Sequence, residues 1–255
     1  NSYDVIGNIA ILKFPSGTKK SQKIKVAKQL LLERKSVKTV LEKADKIKGR
    51  LRTPKIEFLA GEKNLIAEYV ENNCRFKLNV ATCYFSPRLS NERKEVFSQV
   101  KRDEKVLVMF GGVAPSAITI AKNTKAKEVY SVELGRECSK YALENVKLNK
   151  LYNVHIHQGD VKRILPTLQK EKLQFDRIVM SRPQLKDTFL ESAFKVIKKN
   201  GIINYYGFDK DKDNVVSSIK QDAKKFKKRI KIFIVKKAGD IAPYKFRWRI
   251  DFKIL

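Results

Sequence analysis

Four short stretches hold the residues best suited to bind a nucleoside or act on one. The first is the turn Gly111-Gly112-Val113-Ala114-Pro115, which follows the apolar run Val106 to Phe110. The second is Glu133, which closes the next apolar run, Val129 to Val132. The third is Asp160, behind Gly159 and the strand-like NVHIHQ. The fourth is Ser181-Arg182-Pro183, behind FDRIVM. Glycines let backbone approach a ligand closely, and a carboxylate about 20 residues further on can accept hydrogen bonds from two ribose hydroxyls. A second carboxylate, Asp160, can accept from an adenine amino group. The Ser-Arg-Pro stretch lies where a reacting substrate base would sit. Each feature also has a plain structural reading. The turn is not a G-x-G-x-x-G, Gly-Asp can be an ordinary turn, and Pro183 can simply begin a helix. What favours a site is that the four recur in order, each at the end of a strand.

The elements that would position them alternate strand and helix. Strand 106–110 leads into a helix from Ser116 to Lys122, with Ser116 as a plausible N-cap. Strand 129–132 leads into helix 136–149. Strand 153–158 and strand 175–180 follow, the latter with a helix reaching about Lys198. Strand 201–206 leads into helix 212–226, and two last strands, 229–235 and 246–254, flank AGDIAPY. This predicts an α/β fold, a doubly wound sheet with an antiparallel edge. The layout resembles class I S-adenosylmethionine methyltransferases, with ligands at the carboxyl ends of strands one to four. Residues 1–82 read as a small α+β domain: strands over 3–14 broken at Gly7-Asn8, an amphipathic helix over 22–34, a strand over 37–41, a basic connector over 44–49, then an antiparallel meander. Residues 83–255 form the nucleotide domain, opening with a helix from Ser90 to Val100.

Composition narrows the partner. The 255 residues hold 56 Lys+Arg against 27 Asp+Glu, a formal net charge of +29. Such a field favours a polyanion, with nucleic acid leading and an acidic membrane surface the lesser alternative. Adaptation to heat alone would raise Glu alongside Lys. Cys74, Cys83 and Cys138 are too few and scattered for a disulfide framework or metal site and read as small core residues of a reducing cytosol. His155 and His157 alternate on one strand and read as same-face packing, with no metal expected. Neither a long apolar run nor a signal peptide stands out, so a cytoplasmic protein is expected. The start at Asn1 suggests that an upstream segment is missing.

Several stretches together resemble the archaeal and eukaryotic tRNA (guanine-N1)-methyltransferases that act at nucleotide 37, beside the anticodon. They include YDVIGNIAIL, RTPKIEFLAGE, CRFKLNVATCYFSPRLSNER, MFGGVAP, ENVKLNK, GDVK, FDRIVM, GIINYY and IAPYKF, which together run through nearly the whole chain. YFSPRL followed by Glu-Arg is specific to this family and its wybutosine-pathway relatives. The resemblance implies S-adenosylmethionine as cofactor, tRNA gripped at its anticodon stem-loop as partner, a monomer, and an absent upstream domain that would hold the tRNA elbow.

It also implies roles. Glu92 matches a general base, and Arg52 an arginine that stabilises charge on the guanine oxygen. Tyr84, Arg88 and Arg93, with Ser181 and Pro183, would shape the substrate site. Phe110, Gly111, Gly112, Ala114, Glu133 and Asp160 would hold the cofactor. The chemistry is coherent: N1 of guanine carries a proton that must leave as the methyl arrives, and a cation can stabilise charge building on O6. Apart from the resemblance, Arg52 and Glu92 read as a surface ion pair or a first-turn helix acid.

The chain departs from the family pattern at several positions. Val108 replaces an Asp, Gly111 an Ala and Ala114 a Gly in the cofactor turn. Ser181-Arg182 stands for Asn-Leu before Pro183, and Asn204 stands where His is usual. These changes leave room for a second substrate such as a wyosine intermediate. Two rivals remain: a sister transferase moving an aminocarboxypropyl group, and a tRNA-binding homologue weakened in catalysis. The intact SPRL-x-x-ER segment favours methyl transfer.

Overall fold

The computed structural model describes residues 3–43, 56–181 and 187–255. The chain opens with a small hairpin, β1 (Tyr3–Ile6) and β2 (Ile9–Leu12), turned by Gly7 at φ +56°. A Cβ on Gly7 would lie 1.6 Å from the Glu68 carbonyl oxygen, so no other residue fits there. Helix α1 (Lys20–Glu33) crosses to β3 (Thr39–Lys43), which pairs parallel with β2, and β4 (Ile56–Gly61) adds antiparallel. Ala27 and Leu30 of α1 pack with Leu12, Val40 and Leu59 in one core cluster.

The antiparallel meander expected up to residue 82 is divided. Strand β4 belongs to the four-stranded sheet, whereas β5 (Ile66–Glu71) and β6 (Cys74–Asn79) form a separate hairpin. The free edge of β6 is satisfied by two asparagines of helix α4, introduced below. Asn145 accepts from the Lys77 amide at 2.7 Å and donates to its carbonyl at 3.1 Å. Asn149 does the same for Arg75, at 2.9 and 2.7 Å. Placed four apart on one helix face, they act as a substitute strand and meet the backbone's hydrogen-bonding demand. The expected division of the chain near residue 82 falls just after this hairpin.

A 3-10 turn (Pro87–Leu89) leads into α2 (Ser90–Phe97). Then β7 (Lys105–Met109), α3 (Pro115–Asn123), β8 (Glu128–Glu133), α4 (Arg136–Leu148), β9 (Val154–Gln158), α5 (Val161–Lys170) and β10 (Phe175–Met180) alternate. After α6 (Leu190–Val196) come β11 (Ile197–Asp209), α7 (Lys212–Lys225), β12 (Ile230–Ala242) and β13 (Lys245–Ile254). Apolar strands such as Val106-Leu107-Val108-Met109 are buried on both faces, as helices on both sides of a parallel sheet require.

The sheet order is β12-β13-β11-β10-β7-β8-β9. Strand β13 runs antiparallel to both β11 and β12. The terminal strand pair thus forms the expected antiparallel edge, with β13 lying between β11 and the edge strand β12. Strand β12 is longer than the expected 229–235: it extends through AGDIA to Ala242, so that only Pro243-Tyr244 turns the hairpin. Three other expectations shift. Helix α3 starts at Pro115, with Ala114 rather than Ser116 at the N-cap. Helix α6 ends at Val196, because Ile197 already pairs with Phe175. Helix α5 was not anticipated: Pro166 lies inside it and masks its apolar face of Val161, Leu165 and Leu168.

Candidate active site at the carboxyl ends of the central strands

Strand order reverses at β7, whose neighbours β8 and β10 are reached by connections leading in opposite directions. A crevice opens where such connections diverge. Here it is lined by Phe110, Gly111 and Gly112 after β7, Glu133 and Leu134 after β8, Gly159, Asp160 and Val161 after β9, and Ser181 after β10. Its far wall comes from Tyr84, Phe85, Glu92 and Arg93, with Tyr206, Phe208 and Arg247 from the end of the sheet.

Glu133 is fixed by backbone. One carboxylate oxygen accepts from Gly112 N–H at 2.8 Å and the other from Gly135 N–H at 2.6 Å. Burial pushes its pKa above the ordinary carboxylate value, against the lowering effect of these backbone donors. Asp160 caps α5 by accepting from Lys162 N–H at 2.9 Å and also faces the crevice. Its capping and ligand readings therefore coexist, since a carboxylate has lone pairs for both. The turn glycines differ in purpose. A Cβ on Gly111 would lie 2.0 Å from Ser131 Oγ, a packing demand, whereas Gly112 adopts φ +57° and presents its N–H to Glu133. Ala114 takes φ +64°, a conformation that suits glycine, and is buried below the crevice rather than lining it.

These donors and acceptors fit S-adenosylmethionine. The fixed Glu133 carboxylate suits a ribose diol and Asp160 an adenine amino group, between apolar walls from Leu134, Val161 and Phe189. Among the described residues no group of His, Cys, Asp and Glu is arranged to hold a metal ion.

On the far wall, Arg93 forms a buried ion pair with Glu71 of β5 through two hydrogen bonds and donates to the Ser86 carbonyl at 3.1 Å. Its guanidinium lies 5.2 Å from the Phe85 ring centroid. Arg93 thereby clamps the YFSPRL loop to the β5–β6 hairpin. Arg88 points elsewhere: it is exposed, pairs with Asp4 at 2.7 Å and does not line the crevice. Arg52 and Pro183 lie outside the described residues. Glu92 is buried, and its Oε1 accepts from Arg249 Nη1 at 2.6 Å and from the Tyr206 hydroxyl at 3.1 Å. Tyr206 is held well above its ordinary pKa, first by burial and then by the charge of Glu92.

Sequence reasoning missed Tyr206, Arg247 and Arg249. A signal was present in KFRWRIDFKIL, where Arg247, Arg249 and Asp251 recur at every second position and so share one face of a strand. Cys83 and Cys138 are paired as a disulfide with Cα atoms 5.5 Å apart, which corrects the expectation of three unpaired core cysteines. Their separation by 55 residues hid the pairing, because the fold alone brings the loop before Tyr84 onto the first turn of α4. Only Cys74 remains a free buried thiol.

The strand order, the crevice and the fixed carboxylate define a class I S-adenosylmethionine-dependent methyltransferase fold. Residues 67–232 match the TRM5/TYW2 methyltransferase domain, and residues 1–64 match the TYW2 N-terminal domain. The chain belongs to the TRM5/TYW2 family. It is 36% identical to the tRNA (guanine(37)-N(1))-methyltransferase Trm5b of Pyrococcus abyssi, over 99% of this chain and 74% of that protein. The crystal structure of that Trm5b superposes with a TM-score of 0.88 over the same shares. It is 33% identical to the tRNA (guanine(37)-N(1))/4-demethylwyosine(37)-methyltransferase Taw22 of Nanoarchaeum equitans, over 100% of both chains. The complex structure of aTrm5 and tRNALeu matches with a TM-score of 0.88 and 28% identity, over 100% of this chain and 72% of that one.

Proposed function

We propose that this chain transfers a methyl group from S-adenosylmethionine to N1 of guanosine at nucleotide 37 of tRNA. The observation that carries the reading is the buried carboxylate of Glu92 on the crevice wall across from the Glu133 cofactor end. Relatives whose names state this activity span the whole chain. When bound, the cofactor supplies an activated methyl on a sulfonium and leaves as a neutral thioether.

The remaining work falls to the chain's own side chains. Glu133 and Asp160 hold the ribose and adenine, Gly112 lets the backbone approach, and Gly111 keeps the turn packed against Ser131. Glu92 takes the N1 proton as the N1–methyl bond forms, so a neutral guanine does not have to bear a positive charge. Arg52 meets the charge that builds on O6. Tyr84, Arg93 and Ser181, with Pro183, shape the site for the base, which must leave the anticodon-loop stack to enter. Arg88 supports the loop from outside through Asp4.

On the crevice wall at Arg247 and Phe208, and along the adjoining strands β11 to β13, cations lie over aromatic rings. Arg247 lies 5.5 Å from the Phe208 ring centroid, Lys237 4.1 Å from Phe246 and Lys210 5.8 Å from Tyr244. With the +29 charge, this surface suits phosphates and unstacked bases of the anticodon stem-loop. No helix among the described residues is long and apolar enough to cross a membrane. We assign the activity to a monomer in the cytoplasm.

The Taw22 match over its full length favours a second substrate, 4-demethylwyosine at the same nucleotide. Serine at 181 is shorter than asparagine and offers fewer fixed contacts to the base edge, which suits a site accepting two bases. Glu92→Gln tests the base assignment. It keeps shape and hydrogen bonding but loses basicity, and should lower the single-turnover rate roughly 10²-fold or more. Cofactor and tRNA affinities should change little. Parental speed across a pH range would remove Glu92 from the chemistry.

A further inference from the structure

Glu92 is not an isolated acid. It sits at the edge of a buried charged cluster whose hub is Arg249, a residue outside the crevice lining and only 2% exposed. Arg249 meets three carboxylates from two elements. Its Nη1 bonds Glu92 Oε1 at 2.6 Å, its Nη2 lies 3.2 Å from Glu95 Oε2, and its Nε lies 3.2 Å from Asp251 Oδ2. The second cation is Lys236 of β12, bonded to Glu95 at 2.6 Å and 3.7 Å from Glu92 Oε2. Asp251 accepts from Gln99 at 3.2 Å, which ties the cluster to the end of α2.

The two oxygens of Glu92 differ. Oε1 has two donors, Arg249 and Tyr206. Among the described residues, Oε2 has only Lys236 at 3.7 Å, beyond hydrogen-bond reach. We infer that Arg249 is a positioning residue for the proposed chemistry: with Tyr206 it engages Oε1 and leaves Oε2 as the oxygen that receives the N1 proton. This rests on the reading of Glu92 as the base.

The electrostatic balance gives the sign. Among the described residues, the charged and titratable groups around Glu92 are Arg249 and Asp251 on β13, Lys236 on β12, Tyr206 on β11, and Glu95 and Arg93 on its own helix. Arg93 is neutralised by Glu71. Removing Arg249 leaves Glu92, Glu95 and Asp251 with Lys236 as the one cation of the cluster among the described residues. Like charges then favour the protonated form of Glu92 in the variant. The rate requires the ionised form, so the acidic limb of the pH–rate profile must move to higher pH. A protonated Glu92 cannot accept the N1 proton.

The test is single-turnover methyl transfer to tRNA across pH, on the full chain, with cofactor binding by calorimetry as the check on folding. Arg249→Met should shift the acidic limb upward by about one pH unit or more. Arg249→Lys, which keeps a charge but not the three-way contact, should return the limb toward the parent and still lower the plateau rate. Tyr206→Phe removes a neutral donor from Oε1 and should move the limb in the same upward direction by less. If Arg249→Met fails to bind cofactor, the Lys and Phe variants decide. An unchanged limb and plateau in the folded variants would overturn the positioning role while a slow Glu92→Gln still stood. A fast Glu92→Gln would remove the base assignment itself, and this inference with it.

Discussion

The Glu133 carboxylate accepts the Gly112 amide at 2.8 Å, joining the end of β8 to the turn after β7 across 21 residues of sequence. This contact shapes the floor of the crevice before any ligand enters. It also places an acid where burial disfavours its charged form. The ionised form is the one that accepts from ribose hydroxyls. Cofactor affinity should therefore fall with falling pH, through a midpoint above the ordinary carboxylate range. Glu133→Gln should flatten that dependence and weaken binding by about 1–3 kcal/mol. Calorimetric titration of S-adenosylmethionine over a pH series measures both. Undiminished affinity in the variant would take Glu133 out of the cofactor site.

Two ion pairs flank the YFSPRL loop, and they should differ sharply in worth. Arg93–Glu71 is buried, with side-chain exposures of 8% and 2%. Arg88–Asp4 is open, at 68% and 38%. Glu71→Ala strands a buried guanidinium and should cost roughly 3–5 kcal/mol in denaturant unfolding. Asp4→Ala should cost at most about 1 kcal/mol. Equal costs would mean that the loop is not anchored through Arg93.

Binding of tRNA should be steeply salt-dependent, because Lys and Arg neutralise phosphates and release counterions. Arg247→Ala on the crevice wall and Lys237→Ala on β12 should each reduce the slope of log affinity against log salt by about one. A flat response between low and moderate salt would place the tRNA on another surface.

Ser181→Asn puts a longer side chain with an added amide on the crevice wall after β10. It should raise methylation of guanosine at nucleotide 37 relative to 4-demethylwyosine, if that loop holds the base edge. Competition between the two tRNAs in one reaction measures the ratio. An unchanged ratio would mean that Ser181 does not select the base.

Much of this was legible in the sequence because period and punctuation agree. Short apolar runs each ended on a glycine or an acid, so Gly112, Glu133 and Asp160 could be placed at strand ends before any coordinates. They line one crevice because parallel strands bring all their carboxyl ends to one side. What escaped notice depends on long-range pairing. Arg249 lies 157 residues from Glu92, and only the insertion of β13 beside β11 brings it to Tyr206 and Glu92. The Cys83–Cys138 pair and the asparagine ladder under β6 are of the same kind. Local propensity misled where it conflicted with the sheet. Pro166 lies inside α5, a helix that was not anticipated, and the strand expected over 229–235 runs on to Ala242.

The central claim is methyl transfer to one atom of one nucleotide, and nucleoside mass spectrometry tests it most directly. The protein is incubated with S-adenosylmethionine and unmodified tRNA bearing guanosine at nucleotide 37, and the tRNA is then digested. The account predicts 1-methylguanosine from that position, with Glu92→Gln yielding far less in the same time. A product heavier by an aminocarboxypropyl group, or unmodified guanosine despite bound cofactor and tRNA, would contradict it.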